Sequence, residues 1–319
     1  MGFAIIWIMF YHAKDASGIL YEFVKFGRGG VDIFFFISAL GLCASFRNNS
    51  DFRSFYMRRI KRILPTWVTI LVGMHLLNIV LQNDCPHTTG QAFLYYTGLG
   101  WWLSGLYDNG AFVYLEWYIP TLLLFYALFP FLYKIKLKYL LGVLIISIIV
   151  TFVFSFNGIL SSLKLAHQRL PIFIFGILCY KVMPMIESSR ETIIEIIFAG
   201  IGVSLFACGL LYLPYESIQE LFMERIALLL TMPLLLRLLA SFLEMTNVDK
   251  VISMFGKYSL ELYLLHLNLI YIPLYKIFYP FQRFAPLSLI LTILLFLLLS
   301  VVLNKSIKYT LKICTRDTQ

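Results

Sequence analysis

The sequence predicts an all-α fold, a polytopic membrane bundle of about ten transmembrane helices that forms one domain over residues 1–319. Hydrophobic residues make up 60% of the chain and charged residues 13%, whereas soluble domains have about 45–50% and about 25%. There is therefore too little polar surface to cover a water-soluble globule. The same composition excludes disordered, coiled-coil, collagen-like and soluble disulfide-rich proteins.

Ten apolar runs, separated by polar clusters, predict the helices in order. The first run, residues 1–12, is shorter than the about 20 residues that a span needs, so we expect the natural first helix to begin upstream of Met1. No basic segment precedes this run, and no small-residue cleavage site follows it. We therefore do not expect a cleaved signal peptide. The remaining predicted spans are 30–46, 66–82, 112–133, 139–156, 168–185, 191–213, 220–243, 256–276 and 285–312.

Basic residues are divided unequally between the two sets of connections. Eighteen of the 26 Lys and Arg residues lie on the side that holds the 46–65 connection and the C-terminal tail. The positive-inside rule places that side, and with it both termini, in the cytoplasm. We therefore expect a multi-pass protein of the inner (cytoplasmic) membrane without a soluble appendage. The net charge of +9 then reflects topology rather than affinity for nucleic acid.

The five cysteines show no C-x-x-C spacing, so neither a zinc site nor a redox motif is indicated. We predict no metal and no bound cofactor.

The longest predicted outer connection is rich in aromatic residues. It runs from Asn83 to Ala111 and contains Phe93, Tyr95, Tyr96, Trp101, Trp102 and Tyr107. Two interpretations remain open, a belt of anchors at the membrane interface and a platform on which a sugar ring stacks.

Several ionisable residues lie in or beside the predicted spans, where a charged side chain costs about 2.5–3.5 kcal/mol on insertion scales. Each is a functional candidate: His12, Asp32, His75, Glu116, His167, Arg169, Glu261 and His266. Asp32 follows the glycine-rich G-R-G-G turn (27–30), where a carboxylate suits a helix N-terminus or could orient an imidazole. The turn itself is weak evidence for phosphate binding, and a tight start of the second helix explains it equally well.

The most specific feature is the basic segment 56–65, Y-M-R-R-I-K-R-I-L-P. It places four cations within five residues, before a helix that we expect to begin near Pro65. In a helix, Arg58 and Arg62 share one face, and two guanidinium groups on one face suit bidentate phosphate binding. Anchoring to anionic lipid headgroups is the alternative interpretation.

Six segments in the same order resemble the acyltransferase-3 family of bacterial membrane acyltransferases, and together they cover nearly the whole chain. They are G-F-A-I-I-W-I-M-F-Y-H (2–12), G-V-D-I-F-F-F-I-S-A (30–39), F-Y-M-R-R-I-K-R-I-L-P (55–65), W-Y-I-P-T-L-L-L-F-Y-A-L-F-P (117–130), R-L-P-I-F-I-F-G-I (169–177) and Y-S-L-E-L-Y-L-L-H (258–266). The resemblance implies about ten transmembrane helices and transfer of acyl groups, usually acetyl, from cytoplasmic acyl-CoA to envelope or secreted carbohydrates.

The sequence departs from the family pattern at three places. The family's first motif is an arginine, ten residues and a histidine; His12 matches the histidine, but Met1 occupies the arginine position. Ala39 replaces a glycine, and the carboxylate that often follows the tryptophan of the fourth helix is absent, while Glu116 precedes Trp117 instead.

The resemblance and the residues together predict a mechanism. Arg58 and Arg62, assisted by Arg59, would hold the CoA phosphates, and His12, oriented by Asp32, would act as general base or acyl carrier. The residues predicted to line the substrate cavity are Ser38, Trp117, Arg169, Tyr263 and His266. For Tyr263 and His266, packing in the core remains an equal interpretation. The partners are acyl-CoA, a carbohydrate or lipid-linked saccharide, and the bilayer.

Two rival functions remain open. A transporter or flippase of a lipid-linked sugar would use similar polar groups and helix interruptions, but it has no need of paired guanidinium groups. A non-catalytic scaffold is favoured only if Met1 reflects true loss of the first motif.

Overall fold

The computed structural model describes residues 1–12, 24–80, 86, 88–99, 117–157, 164–185, 188–214, 217–246, 248–271 and 285–316. Within these ranges the regular structure is helical and no residue lies in a strand, so the predicted all-α class is confirmed there. The helices are α1 (Gly2–His12), α2 (Gly30–Asn48), α3 (Phe52–Val80), α4 (Thr89–Thr97), α5 (Tyr118–Lys134), α6 (Leu137–Asn157), α7 (Lys164–Val182), α8 (Ser188–Tyr212), α9 (Ile218–Thr246), α10 (Asp249–Lys257), α11 (Ser259–Tyr271) and α12 (Ala285–Arg316). Short 3₁₀ turns lie at Gly27–Gly29 and Met183–Met185.

Six helices of the described part are long and apolar enough to cross a membrane. They lie at Gly27–Asn48, Phe52–Val80, Leu137–Phe154, Arg190–Tyr212, Gln219–Thr246 and Ile290–Thr310. Helices α1 and α5 are apolar but shorter. A multi-pass membrane protein follows from these helices, whereas the count of about ten spans and the cytoplasmic position of both termini stay predictions.

Helix α3 corrects the expected boundary at Pro65. It begins at Phe52, and Pro65 lies inside it. The start is fixed by Asp51, whose carboxylate accepts a 2.7 Å hydrogen bond from the backbone N–H of Ser54, as an N-cap does. Hydrogen bonding by Ser54 holds the pKa of Asp51 below its ordinary value. The basic segment therefore occupies the first turns of a continuous helix rather than a connection before it.

The sequence prediction also missed α4 and a helix break. Thr88 and Gln91 form a capping box with two 3.2 Å bonds, and Gly98 ends the helix at φ 69°. The T-x-x-Q pattern of residues 88–91 is the sequence feature from which the start of α4 could have been predicted. The predicted span 256–276 begins instead at Ser259, after the separate amphipathic helix α10, and its residues 272–276 lie outside the described part.

The described residues belong to two compact units. The first comprises Met1–Gly30, Tyr56–Tyr118 and Lys250–Gln319. In it, α1 packs closely against the glycine-rich turn. A Cβ atom at Gly27 would lie 2.3 Å from the carbonyl oxygen of Trp7, and one at Gly30 would lie 2.7 Å from that of Ala4. The turn thus uses its glycines for helix packing, which supports the packing interpretation over a phosphate loop.

The second unit comprises Val31–Phe55 and Ile119–Asp249. Its core is aromatic: the Phe125 ring lies 4.9 Å from that of Phe35 and 5.0 Å from that of Phe173. Helices α2 and α7 approach closely, since a Cβ atom at Gly176 would lie 2.8 Å from that of Ala39. The alanine that departs from the family pattern is therefore fully buried at a position where a larger side chain would not fit.

Polar groups tie other helices of this second unit together. Lys181 of α7 donates to the carbonyl oxygens of Tyr133 and Ile135 at the end of α5, at 2.5 and 2.7 Å. Arg237 of α9 lies 3.2 Å from Glu191 and 3.1 Å from Glu195, both on α8. Each contact gives a partner to a polar group that would be energetically unfavourable in the membrane without one.

Two glycines of α2 provide a matched test of this packing. We expect Gly30→Ala to destabilise the protein by about 1–3 kcal/mol, because the new methyl group would overlap α1. Gly41→Ala should be neutral or slightly stabilising, because a Cβ there meets nothing within 4 Å and alanine favours the helix. Thermal melting of both variants in detergent measures the difference. Equal melting temperatures would contradict the account.

Candidate active site

The predicted histidines His12 and His266 come together in the first unit. His12 ends α1, His266 lies in α11, and their ring centroids are 5.2 Å apart. The two residues are 254 positions apart in the sequence, and no sequence motif contains both. Their proximity is thus a product of the fold.

His266 is held in one orientation. It is fully buried, and its Nδ1 lies 3.0 Å from the carbonyl oxygen of Leu262, one turn earlier. A carbonyl oxygen only accepts, so Nδ1 carries the proton in this bond and Nε2 keeps its lone pair. Nε2 is buried without a hydrogen-bond partner among the described residues. The arrangement leaves a neutral imidazole with an unshared Nε2 lone pair beside His12.

Aromatic rings continue from this histidine pair on both sides. The Tyr263 ring lies 5.5 Å from His266 and 4.3 Å from Tyr118, and Trp117 follows at 6.0 Å from Tyr118. Tyr11 lies 5.1 Å from His12. Two of the predicted cavity residues, Trp117 and Tyr263, are therefore part of the same row of rings as His266.

The distance of His12 from the start of α1 follows from the length of that helix. His12 is ten residues beyond Gly2, which is about 15 Å along the axis of α1. Gly2 itself packs against α10, since a Cβ atom there would overlap the carbonyl oxygen of Ile252. A bilayer's hydrocarbon core is about 30 Å thick, so α1 is long enough to reach from one boundary to its middle.

Asp32 and Arg169 form a buried ion pair in the second unit. Asp32 lies in the first turn of α2 and Arg169 in α7, and only 2% and 5% of their surfaces are exposed. Arg169 Nη1 donates to Asp32 Oδ2, while its Nε has no hydrogen-bond partner among the described residues. Asp32 and His12 belong to different units, so the orienting contact between them stays a prediction.

The other polar candidates are placed as follows. Ser38 is half-buried in α2. Glu261 is buried and accepts a 2.5 Å hydrogen bond from Asn304 of α12, a partner that the sequence did not indicate. The His167 ring lies 5.5 Å from that of Phe154. Glu116, like Trp101, Trp102 and Tyr107 of the aromatic connection, lies outside the described residues.

The basic cluster, defined here as Arg58, Arg59 and Arg62, lies in the first three turns of α3. Arg58 and Arg62 are exposed, and Arg59 is half-buried. Since α3 is a continuous helix, Arg58 and Arg62 lie one turn apart on the same face, as predicted from their spacing. Within the described ranges, no three His, Cys, Asp or Glu side chains gather in a group that could hold a metal ion.

Curated relatives of the chain carry provisional acetyltransferase names. A Staphylococcus aureus (strain COL) protein, provisionally named an O-acetyltransferase, is 24% identical over 62% of this chain and 37% of its own length. An Acidianus two-tailed virus protein, provisionally named an acetyltransferase, is 27% identical over 44% of this chain and 42% of its own length. The chain thus spans less than half the length of these relatives. No solved structure matches it.

The family comparison covers almost all of the chain. The family model described as an acyltransferase domain, acyltransferase-3, matches residues 2–305. This range includes α1 to α11 and most of α12, and it therefore includes His12, the basic cluster and His266. The resemblance inferred from the six segments is confirmed, and the chain belongs to the acyltransferase-3 family of acyltransferases.

Proposed function

We propose that the protein is an integral membrane O-acyltransferase that moves an acyl group, most simply acetyl, from cytoplasmic acyl-CoA to a hydroxyl group of an envelope or secreted carbohydrate. The His12–His266 pair is the observation that carries the proposal. Family membership and the names of the relatives support an enzyme of acyl transfer. Acyl-CoA as donor, a carbohydrate as acceptor and the inner membrane as location belong to the proposal.

His12 is the reacting group of the proposed mechanism. As general base, it takes the proton of the sugar hydroxyl while the oxygen attacks the thioester carbonyl carbon. The new C–O bond forms, the C–S bond breaks, and the departing CoA thiolate recovers the proton. As nucleophile, His12 first forms an acyl-imidazole, with release of CoA, and the sugar hydroxyl then displaces the imidazole. Both routes give the same ester and the same CoA.

His266 supports His12 in either route. Its Nδ1–H is held by the Leu262 carbonyl, so Nε2 is oriented without cost at the moment of reaction. The neutral His266 ring lies 5.2 Å from the His12 ring, between centroids, and so limits the orientations open to His12. We therefore place His266 in the proposal as a positioning residue, and Trp117 and Tyr263 as walls of the same site.

The basic cluster supplies the proposed donor site. Arg58 and Arg62 are exposed at one end of α3, where two guanidinium groups one turn apart match the bidentate geometry of phosphate oxygens. Asp32 and Arg169 have a different proposed role. Because each neutralises the other in a buried setting, the pair fixes the start of α2 against α7.

A flippase would use the membrane-buried polar groups but would neither consume acyl-CoA nor release CoA. Turnover of acetyl-CoA by the purified protein therefore separates the two functions. A rapid denaturing quench at neutral pH after labelled acetyl-CoA, without acceptor, separates the two routes, because only an acyl-imidazole leaves label on His12.

Substitution of His12 tests the reacting group. We expect His12→Ala to lower kcat by about 10²–10⁴-fold, because general-base catalysis contributes that much. CoA release from acetyl-CoA, followed with a thiol reagent, gives the rate. His167→Gln is the matched control, a histidine of α7 outside the proposed site, and it should keep wild-type turnover. Normal turnover by the His12 variant would contradict the mechanism.

Charge removal in the basic cluster tests the donor site. Each of Arg58→Gln and Arg62→Gln should raise the KM for acetyl-CoA by roughly 10–100-fold, because hydrogen bonds to charged groups contribute about 1.5–3 kcal/mol. Lysine at either position should recover part of the affinity for acetyl-CoA, because it keeps the positive charge but cannot form the bidentate hydrogen bonds of a guanidinium group. Arg53→Gln, an exposed arginine of the same helix, should change nothing. A similar effect at Arg53 would instead indicate general attraction of anions to this end of α3.

The Asp32–Arg169 pair is tested by single and double substitution. Asp32→Asn or Arg169→Met alone leaves one buried charge without its partner and should destabilise by about 3–5 kcal/mol. The double variant removes both charges and should melt closer to the wild type. Thermal melting in detergent measures all three. Single variants as stable as the wild type would show that the pair is not needed for packing.

A further inference from the structure

A lysine cluster lies at the turn between α5 and α6, within the second unit. It consists of Lys134, Lys136 and Lys138, whose side chains are all exposed. The candidate span Leu137–Phe154 begins inside this turn, so the lysine cluster lies at a membrane boundary. The positive-inside rule accounts for basic residues in such a turn, but it does not account for the arrangement of the side chains around them.

The lysine cluster has no acidic partner within its own helices. No Asp or Glu occurs between Glu116 and Glu187 in the sequence, so α5, α6 and α7 carry no carboxylate side chain. Lysines at the end of a helix can also bind its last carbonyl oxygens, but those of Tyr133 and Ile135 already accept from Lys181. No ion pair joins the lysine cluster to another of the described residues. Its ammonium groups are therefore available to an anion from outside the chain.

Aromatic rings hold two of these lysines in position. Lys134 Nζ lies 4.3 Å from the centroid of the Phe52 ring, and the Phe52 ring stacks at 6.0 Å on that of the buried Phe46. Lys138 Nζ lies 4.8 Å from the centroid of the Tyr139 ring. Both distances are in the range of a cation–π contact. Because a ring contacts only one side of an ammonium group, the N–H donors on its other side can still bind an anion.

An exposed apolar ridge continues from Lys134 along α5. Phe131 lies three residues before Lys134 and Leu128 lies three residues before Phe131, and side chains at this spacing are neighbours on a helix surface. Leu128 and Phe131 are both exposed, Phe131 by 61%. The Phe131 ring also lies 6.1 Å from that of Phe52, between centroids. The ridge and the ammonium group of Lys134 therefore share contact with one ring.

An anionic phospholipid matches this order of groups. Its phosphate lies at the membrane boundary, as Lys134 does, and its acyl chains lie on the hydrocarbon side, as Phe131 and Leu128 do. Lysines beside a membrane surface attract anionic lipid headgroups. Acetyl-CoA, the proposed donor, carries phosphates but no long acyl chain, so it would leave the apolar ridge uncovered.

We propose that the lysine cluster is a binding site for an anionic phospholipid, with the lipid phosphate bonded to Lys134 and an acyl chain lying along Phe131 and Leu128. Lys136 and Lys138 add positive charge at the headgroup. The lipid is a bound partner of the second unit and takes no part in the bond changes at His12. The inference is therefore independent of the proposed function.

Titration of phosphatidylglycerol into the full chain in a neutral detergent, followed by native mass spectrometry, tests the charged part of the site. We expect the wild type to retain phosphatidylglycerol in preference to phosphatidylcholine. The triple variant with glutamine at all three positions of the lysine cluster should lower the affinity for phosphatidylglycerol roughly 10–100-fold, because each lysine contributes to the attraction. The matched control removes three other exposed lysines and should bind like the wild type; its substitutions are Lys250→Gln, Lys257→Gln and Lys305→Gln.

Truncation of Phe131 tests the apolar part of the site. Phe131→Ala should weaken binding of long-chain phosphatidylglycerol severalfold and leave that of the dihexanoyl form unchanged, because only the long chain reaches the ridge. Phe242→Ala is the matched control, an aromatic residue of α9 that is 59% exposed, and it should bind both lipids like the wild type.

Three results would overturn the proposal. They are equal retention of phosphatidylglycerol and phosphatidylcholine by the wild type, equal losses in the two triple variants, and equal losses for Phe131→Ala and Phe242→Ala. The KM for acetyl-CoA separates a lipid site from a donor site. We expect it to be unchanged in the triple variant of the lysine cluster. A raised KM for acetyl-CoA with unchanged affinity for phosphatidylglycerol would assign the lysine cluster to the donor and contradict the proposal.

Discussion

The hydrocarbon core of a bilayer supplies no hydrogen bonds, and the polar side chains within this chain's helices are arranged under that constraint. Asp32 pairs with Arg169, Glu261 accepts from Asn304, and Lys181 donates to two carbonyl oxygens at the end of α5. Each group has a structural partner. Nε2 of the buried His266 has no hydrogen-bond partner among the described residues, and its ring lies beside that of His12.

His266 and the basic cluster both lie in the first unit, and the basic cluster is carried by α3, which is long and apolar enough to cross a membrane. In the proposed mechanism, the arginines near the start of α3 bind the anionic donor. His12 lies at the end of α1, about 15 Å from Gly2.

Composition and apolar runs were sufficient to predict the helical class, and ordered motifs were sufficient to predict the family. Helix boundaries were harder to predict from the sequence where two local signals point to different positions. Pro65 suggested a helix start, but the Asp51 cap begins α3 thirteen residues earlier, and the chain breaks near Tyr258 inside an apparently continuous run. The proximity of His12 and His266, and the partners of Asp32 and Glu261, depend on contacts between distant helices that no spacing encodes.

The most direct test of the account supplies labelled acetyl-CoA to one face only of sealed membrane vesicles that contain the protein. With inside-out vesicles loaded with the acceptor glycoside, external acetyl-CoA should yield free CoA outside and labelled O-acetyl sugar inside, and His12→Ala vesicles should yield neither. Sealed right-side-out vesicles should be inactive until they are permeabilised. Labelled sugar formed at the same rate by wild-type and His12→Ala vesicles, or CoA that is never released, would contradict a transmembrane acyltransferase that works through His12.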